Sequence, residues 1–325
     1  MSPRAKSAPY RALVTGGAGF IGSTLVDRLL AEGNAVDVVD NLSTGSLSNL
    51  AEARTVGAGR LHFHQLDVRS SDLVDLMARR KPEVVFHLAA QADVRVSVAD
   101  PVLDAEINVV GSLRTLEGAR AAEARKVVFA SSGGTIYGDV DKLPITESAP
   151  QRPLSPYGVA KKAVSDYLFA YRELHGLEYT ALALANVYGP RQDQHGEAGV
   201  VAIFAGRLLS GDPCLIYGDG KQTRDFVFVD DVVDAFSRAA ERGSGLLCNV
   251  GTGTETSINE LYAAMARSAG VNQAPIYVPG RPGELQRNCL DPGRASIHLG
   301  WKPWTNIDKG TAAVIAAATI AAQAG

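Results

Sequence analysis

The stretch "LVTGGAGFIGSTLVDRLL" constrains this chain more than any other. A short apolar run leads into Gly16, Gly19 and Gly22, spaced three apart, and an amphipathic helical pattern follows. The first glycine allows a tight turn, the second lets a ligand approach the backbone, and the third lets helix pack on strand. The unpaired N–H groups at the helix start then form an anion site. With a strand before it and a helix after it, such a turn is the opening of a βαβ unit that binds a dinucleotide pyrophosphate.

The following sequence repeats the unit. "AVDVVD", "LHFHQLDV", "EVVFHLAA" and "KVVFASS" are β-branched, largely apolar runs, separated by helical stretches such as "SSDLVDLMARR" and "NVVGSLRTLEGARAA". Strands apolar on both faces and alternating with helices specify a parallel sheet covered on both sides. The expected fold is α/β, a doubly wound parallel Rossmann-type sheet with a smaller C-terminal substrate-binding lobe. Residues 11–185 form the nucleotide-binding domain, with later sheet elements returning from the second half. Residues 186–325, richer in proline and glycine, form mainly the lobe, and 1–10 a disordered tail. The alanine-rich end "TAAVIAAATIAAQ" is too short to span a bilayer and reads as a docked helix.

Asp40 ends the second strand, 18 residues after Gly22. A carboxylate there accepts hydrogen bonds from the ribose hydroxyls and repels a 2′-phosphate, and the following "NLSTG" offers no arginine to such a phosphate. NAD is therefore expected rather than NADP. A net charge of −3 gives no field that would draw nucleic acid or an anionic membrane. Cys214, Cys248 and Cys289 have neither CxxC nor metal-ligand spacing, so reduced thiols, the cytoplasm and no metal are expected. His62 and His87, inside strand-like runs, read as packed core histidines.

In "SPYGVAKKA", Tyr157 and Lys161 stand four residues apart behind a helix-start signal, hence on one face. A free tyrosine, with a pKa of about 10, is a poor base at neutral pH. A neighbouring ammonium and an oxidised nicotinamide both favour the phenolate, which can then take a hydroxyl proton.

Together, "TGGAGFIG", "FHLAA", "FASSGGTIYG", "SPYGVAKKA", "NVYGPRQ" and "RDFVFVDDVVDA" resemble the extended short-chain dehydrogenases/reductases, and among them the UDP-glucose 4-epimerases, from about Leu13 to Trp301. The resemblance implies interconversion of UDP-glucose and UDP-galactose through a transient 4-keto sugar, with the hydride held on tightly bound NAD. Tyr157 would take the 4-hydroxyl proton, and Lys161 would lower its pKa and hold the nicotinamide ribose. Phe20 and Ile21 would lie over the pyrophosphate, Asp40 and Asn41 at the ribose, Asp67 and Val68 beside the adenine, and Leu88, Ala89 and Ala90 on the nicotinamide side. Asn186 and Arg224 would hold the diphosphate, and Arg281 and Glu284 the diphosphate and uridine ribose. Asn288, at the position that limits bulk near the sugar C2, leaves room for N-acetylated sugars. Relatives pair as homodimers through helices that include the Tyr–Lys helix.

The chain departs from the family at Gly133, where a catalytic Ser or Thr is usual. Thr135, two residues on and so on the same face of a continuing strand, is the expected replacement, with Ser132 second. Dehydratases of this superfamily carry Asp-Glu where this chain has Gly134 and Thr135, so the acid that dehydration needs is missing. Two other readings stay open at this point. One is a 4-epimerase of UDP-N-acetylglucosamine or a UDP-uronate, and the other a catalytically silent dinucleotide-binding scaffold.

Overall fold

A computed structural model describes residues 8–193, 199–280 and 285–324. In chain order the elements are β1 (Arg11–Thr15), α1 (Phe20–Ala31), β2 (Ala35–Asp40), α2 (Ala51–Val56), β3 (Leu61–Gln65), α3 (Asp72–Arg80), β4 (Val84–His87), α4 (Val94–Ala99) and α5 (Pro101–Ala105). A π-helical turn, Glu106–Val110, joins α5 to α6 (Gly111–Ala121), followed by β5 (Lys126–Ser132), α7 (Pro156–His175), β6 (Glu178–Leu184), β7 (Asn186–Tyr188), α8 (Val200–Ser210) and β8 (Leu215–Tyr217). The remainder is β9 (Thr223–Arg224), β10 (Phe226–Phe228), α9 (Val229–Ala239), β11 (Leu246–Val250), β12 (Thr256–Ser257), α10 (Ile258–Ala269), β13 (Ile276–Val278), α11 (Gly293–His298) and α12 (Ile307–Ala324).

Seven strands form one sheet in the order β11-β6-β5-β4-β1-β2-β3, and the pairs from β3 through β2, β1 and β4 to β5 are parallel. The chain winds outward from β1 to β3, then restarts beside β1 with β4, with Thr15 opposite His87. That reversal opens a crevice at the carboxyl ends of β1 and β4, where ligands of such sheets bind. β1, β2 and β4 are buried almost throughout. α1 packs on β1 and β2 and buries Leu25, Val26, Leu29 and Leu30. Each such side chain contributes about 1.5–3 kcal/mol on burial. β3 lies at the sheet edge, and none of its residues is fully buried. His62 is consequently exposed, contrary to its expected core position.

The chain divides into two compact units, and no single cut at Asn186 separates them. The first holds the described residues up to Ser131 together with Ser155–Leu182 and Val233–Leu247. The second holds Ser132–Leu154, Ala183–Val232 and the chain from Cys248 onward. β5, β6 and β11 each begin in the first unit and end in the second, so the main chain passes between units repeatedly. Within the second unit β7 pairs with β10, β9 with β12, and β8 with β13, while α8, α10 and α12 pack together. α12 is thus the docked helix expected of the alanine-rich end. The Asp231 carboxylate accepts the N–H groups of Trp304 and Thr305, each at 3.0 Å, and fixes the approach to α12. Among the described residues no helix is long and apolar enough to cross a membrane.

Candidate active site and dinucleotide cradle

The turn between β1 and α1 has no space for side chains at two of its glycines. Gly16 has φ +69°, and a Cβ there would lie 2.7 Å from the Ala89 nitrogen. A Cβ on Gly22 would overlap the Gly16 carbonyl oxygen. No side chain caps α1 at Gly19, and the Ser23 N–H, 3.0 Å from the Gly19 carbonyl oxygen, makes the first bond of the helix. The N–H groups of Phe20, Ile21 and Gly22 precede that bond and form an anion site.

Asp40, buried at the end of β2, accepts the Ala18 N–H on Oδ2 at 2.9 Å and the Leu42 N–H on Oδ1 at 2.8 Å. Each oxygen retains a lone pair for a ribose hydroxyl. The anion-binding turn and this fixed carboxylate together fit NAD. Leu88, Ala89 and Ala90 follow β4 and are half-buried, and the N–H groups of Leu88 and Ala89 rest on Thr15 Oγ1 at 3.2 and 3.3 Å.

The adenine-side candidates are more constrained. Arg69 binds Asp67 through two nitrogens, each at 2.9 Å, and Asn41 Nδ2 donates to Asp67 at 2.9 Å. The Arg69 hydrogen bond holds the Asp67 carboxyl well below the usual carboxylate range. The Val68 side chain lies in the core, where a Cβ on Gly111 would approach it to 2.7 Å. Only the Val68 backbone is therefore left to meet an adenine.

α7 starts as its sequence specifies: Ser155 accepts the Gly158 N–H at 3.2 Å, and Pro156 occupies the first turn. The Lys161 ammonium lies 5.6 Å from the Tyr157 ring centroid and 4.8 Å from that of Phe129. Lys161 is 3% exposed, Tyr157 half-buried. Burial pushes the Lys161 pKa down to about 8, against the opposing pull of Asp104. An ammonium of weakened hydration beside a phenol is what a tyrosine base requires.

The basis on which Thr135 was preferred does not hold. β5 ends at Ser132, and 133–135 form a turn in which the N–H groups of Thr135 and Ile136 both reach the Ser132 carbonyl, at 3.2 and 3.0 Å. Strand alternation therefore stops before Thr135. The Thr135 Oγ1 is sealed from solvent with no hydrogen-bond partner, whereas Ser132 is half-buried at the carboxyl end of its strand. Of the two hydroxyls, only that of Ser132 stands partly exposed, at the strand end.

In the second unit, Asp225 ties the substrate candidates together. Its carbonyl accepts the N–H of exposed Asn186 at 2.9 Å, and its carboxylate accepts the Leu290 N–H at 3.1 Å, two residues beyond Asn288. Arg224, half-buried in β9, is adjacent in sequence and donates from Nη1 to the Thr223 carbonyl at 2.8 Å. Asn288 is 1% exposed, and neither its Oδ1 nor its Nδ2 has a hydrogen-bond partner. Arg281 and Glu284 lie outside the described residues. Among the described residues no cluster of His, Cys, Asp or Glu could hold a metal ion.

The sequence reading missed a buried polar stripe, Asp104, Asn108 and Ser112, on α5, the π-helical turn and α6. Its signal is present in "DAEINVVGS", where three polar residues recur every fourth position. His87, by contrast, is buried and hydrogen-bonded as expected.

Residues 12–251 match the NAD dependent epimerase/dehydratase family. Over 306 residues the chain is 52% identical to the UDP-glucose 4-epimerase of Mycolicibacterium smegmatis, covering 94% of this chain and 97% of that one. It is 44% identical to a putative UDP-glucose 4-epimerase of Methanocaldococcus jannaschii, over 93% and 96% of the two chains. Among solved structures, the UDP-glucose 4-epimerase of Thermotoga maritima with UDP-glucose matches with a TM-score of 0.92 at 42% identity, over 96% of this chain and 99% of that one. The Thermus thermophilus UDP-glucose 4-epimerase in complex with NAD matches with a TM-score of 0.87 at 42% identity, over 95% and 99%.

Proposed function

Because the chain belongs to the NAD dependent epimerase/dehydratase family, we propose that it interconverts UDP-glucose and UDP-galactose through a 4-keto sugar, on NAD that stays in place between turnovers. The observation that carries this reading is the buried Lys161 ammonium at 5.6 Å from the Tyr157 ring. The Gly16–Gly22 turn would hold the pyrophosphate and Asp40 the adenosine ribose. Bound there, NAD would supply the acceptor and donor for a hydride at the sugar C4.

The residues of the chain manage the proton and the sugar. Tyr157 accepts the 4-hydroxyl proton on its phenolate oxygen and gives it back when the keto sugar is reduced. Lys161 stabilises that phenolate because an adjacent cation favours the charged form. The Ser132 hydroxyl donates to the C4 oxygen, a contact of the kind whose loss costs about 3–4 kcal/mol of transition-state stabilisation. Arg224 and Asn186 would bind the diphosphate, and Asn288 would face the sugar C2, its unpartnered amide ready to bond a substrate oxygen.

The same reading places the enzyme in the cytoplasm, consistent with three buried free cysteines, and makes it a homodimer. α4 and α5 pack against α7, and the three leave Val98, Val102, Val159 and Phe169 exposed, a surface suited to a second copy.

Incubating the purified protein with UDP-galactose, without added cofactor, tests the proposal. UDP-glucose appearing with no net NADH is the expected result. A stable oxidised sugar, or no conversion, would overturn it.

A further inference from the structure

Behind the Tyr157–Lys161 pair lies a chain of buried hydrogen bonds that starts from a carboxylate. Asp104 is 1% exposed, and its Oδ1 accepts from Gln91 Nε2 at 3.0 Å and from Asn108 Nδ2 at 2.8 Å. Asn108, inside the π-helical turn, also exchanges bonds with the Gln91 backbone, accepting its N–H at 2.9 Å and donating to its carbonyl at 2.8 Å. Both amides go to one oxygen of Asp104, which fixes the carboxylate without drawing on Oδ2. α5 and the π-helical turn that carry these residues pack directly on α7, which carries Lys161.

The far end of the chain contains His87, and its partners fix it neutral. Ser112 Oγ donates to the Asn108 carbonyl at 2.6 Å, so it accepts from His87 Nε2 at 2.8 Å. Thr15 Oγ1 already takes the N–H groups of Leu88 and Ala89, so it donates to His87 Nδ1 at 2.7 Å. A second proton on the ring would have no acceptor. Burial, with Lys161 nearby, accordingly pushes the His87 pKa down to about 3.

The charged and titratable groups around Lys161 can therefore be separated by role. Asp104 stands on α5, which packs on α7, and its charge opposes the fall in the Lys161 pKa, although burial raises the pKa of Asp104 itself; His87 on β4 is neutral, and Tyr157 on its own helix is the partner Lys161 serves. Phe129 on β5 offers only a ring face. Arg95 on α4 is closed on Asp93 at 2.8 Å, and Glu117 and Arg120 on α6 pair with each other at 2.7 Å, Glu117 also accepting from Tyr171. A buried lysine loses its charge readily unless a fixed anion opposes that loss.

We propose that Asp104 is a positioning residue for catalysis: an anchored, ionised carboxylate that keeps Lys161 protonated so that Lys161 can hold Tyr157 as a phenolate. This rests on the epimerase reading above. It adds that the pair depends on a third group, on another helix, held in place by Gln91 and Asn108.

The test is an NMR titration of lysine side chains labelled with 13C at Cε, with the Lys161 signal identified by its loss in Lys161→Met. In Asp104→Asn the Lys161 midpoint should fall below the parent's, and in Asp104→Glu it should return towards it. At neutral pH kcat for UDP-galactose should drop roughly tenfold in Asp104→Asn, with KM and NAD content unchanged. An unmoved midpoint in folded Asp104→Asn would overturn the proposal. If that variant does not fold, the carboxyl 13C signal of Asp104 in the parent decides: ionised at neutral pH supports the role, protonated overturns it. A parent without epimerase activity would defeat the functional reading, whereas an active parent with an unaltered Lys161 titration in Asp104→Asn defeats this inference alone.

Discussion

The space that a side chain at position 133 would need is occupied by Leu290. A Cβ on Gly133 would overlap Leu290 Cδ1 and lie 3.0 Å from Cδ2 and 3.2 Å from the Ala183 carbonyl oxygen. Leu290 cannot easily yield, because it is fully buried and its N–H is held by Asp225. Position 133 is thus given over to packing rather than to a hydroxyl side chain. Gly133→Ser should lower stability by about 1–3 kcal/mol, as overpacking does. Adding Leu290→Ala should make the effects non-additive, since the two residues share one volume. Denaturant unfolding of the two single variants and the double variant measures this. Strict additivity would mean that the volume is not shared.

Tyr157→Phe keeps the ring beside the Lys161 ammonium and removes only the phenolic oxygen. Conversion of UDP-galactose should fall by about 10²–10⁴-fold, while the purified protein retains its NAD. A coupled assay for UDP-glucose, together with NAD released on denaturation, separates the two effects.

Gly22→Ala places a methyl group into the Gly16 carbonyl and disrupts the turn that presents the N–H groups at the start of α1. NAD affinity should weaken by at least about tenfold, equivalent to one lost hydrogen bond to a charged group. Calorimetric titration with NAD measures it. Normal affinity would mean that the turn is not the pyrophosphate site.

Lys161 is charged at the expense of stability. Its folded pKa of about 8 lies below its ordinary 10.5, so between those values the unfolded chain binds more protons than the folded one. Stability should therefore rise with pH across that window. At neutral pH Lys161→Met should stabilise the protein, by on the order of 3 kcal/mol, while abolishing epimerase activity. Thermal unfolding at pH 7 and pH 10 gives the sign.

His87 predicts the opposite limb of the profile. Its pKa of about 3 when folded, against about 6.5 when unfolded, means that only the unfolded chain takes up its proton between those values. Stability should consequently fall as pH drops from about 6.5 to 3, by on the order of 4 kcal/mol from this group. His87→Gln should flatten that slope. Unfolding free energies measured across the window would show an unchanged slope if another group were responsible.

The primary structure alone determined everything that depends on local periodicity and short-range geometry. Alternating strands and helices specified the sheet, three glycines the tight turn between β1 and α1, and the four-residue spacing placed Tyr157 and Lys161 on one face, because a helix imposes that spacing whatever surrounds it. Tertiary structure decided the rest. β5 ends at Ser132 rather than running on to Thr135, so strand alternation does not carry to Thr135. Leu290, 157 residues from Gly133 along the chain, fills the space that the glycine leaves. Asp104, on α5, is brought against the helix that carries Lys161 by packing of α5 on α7. Packing volume and the charge of buried groups depend on atoms distant in sequence, and no local pattern encodes which atoms those will be.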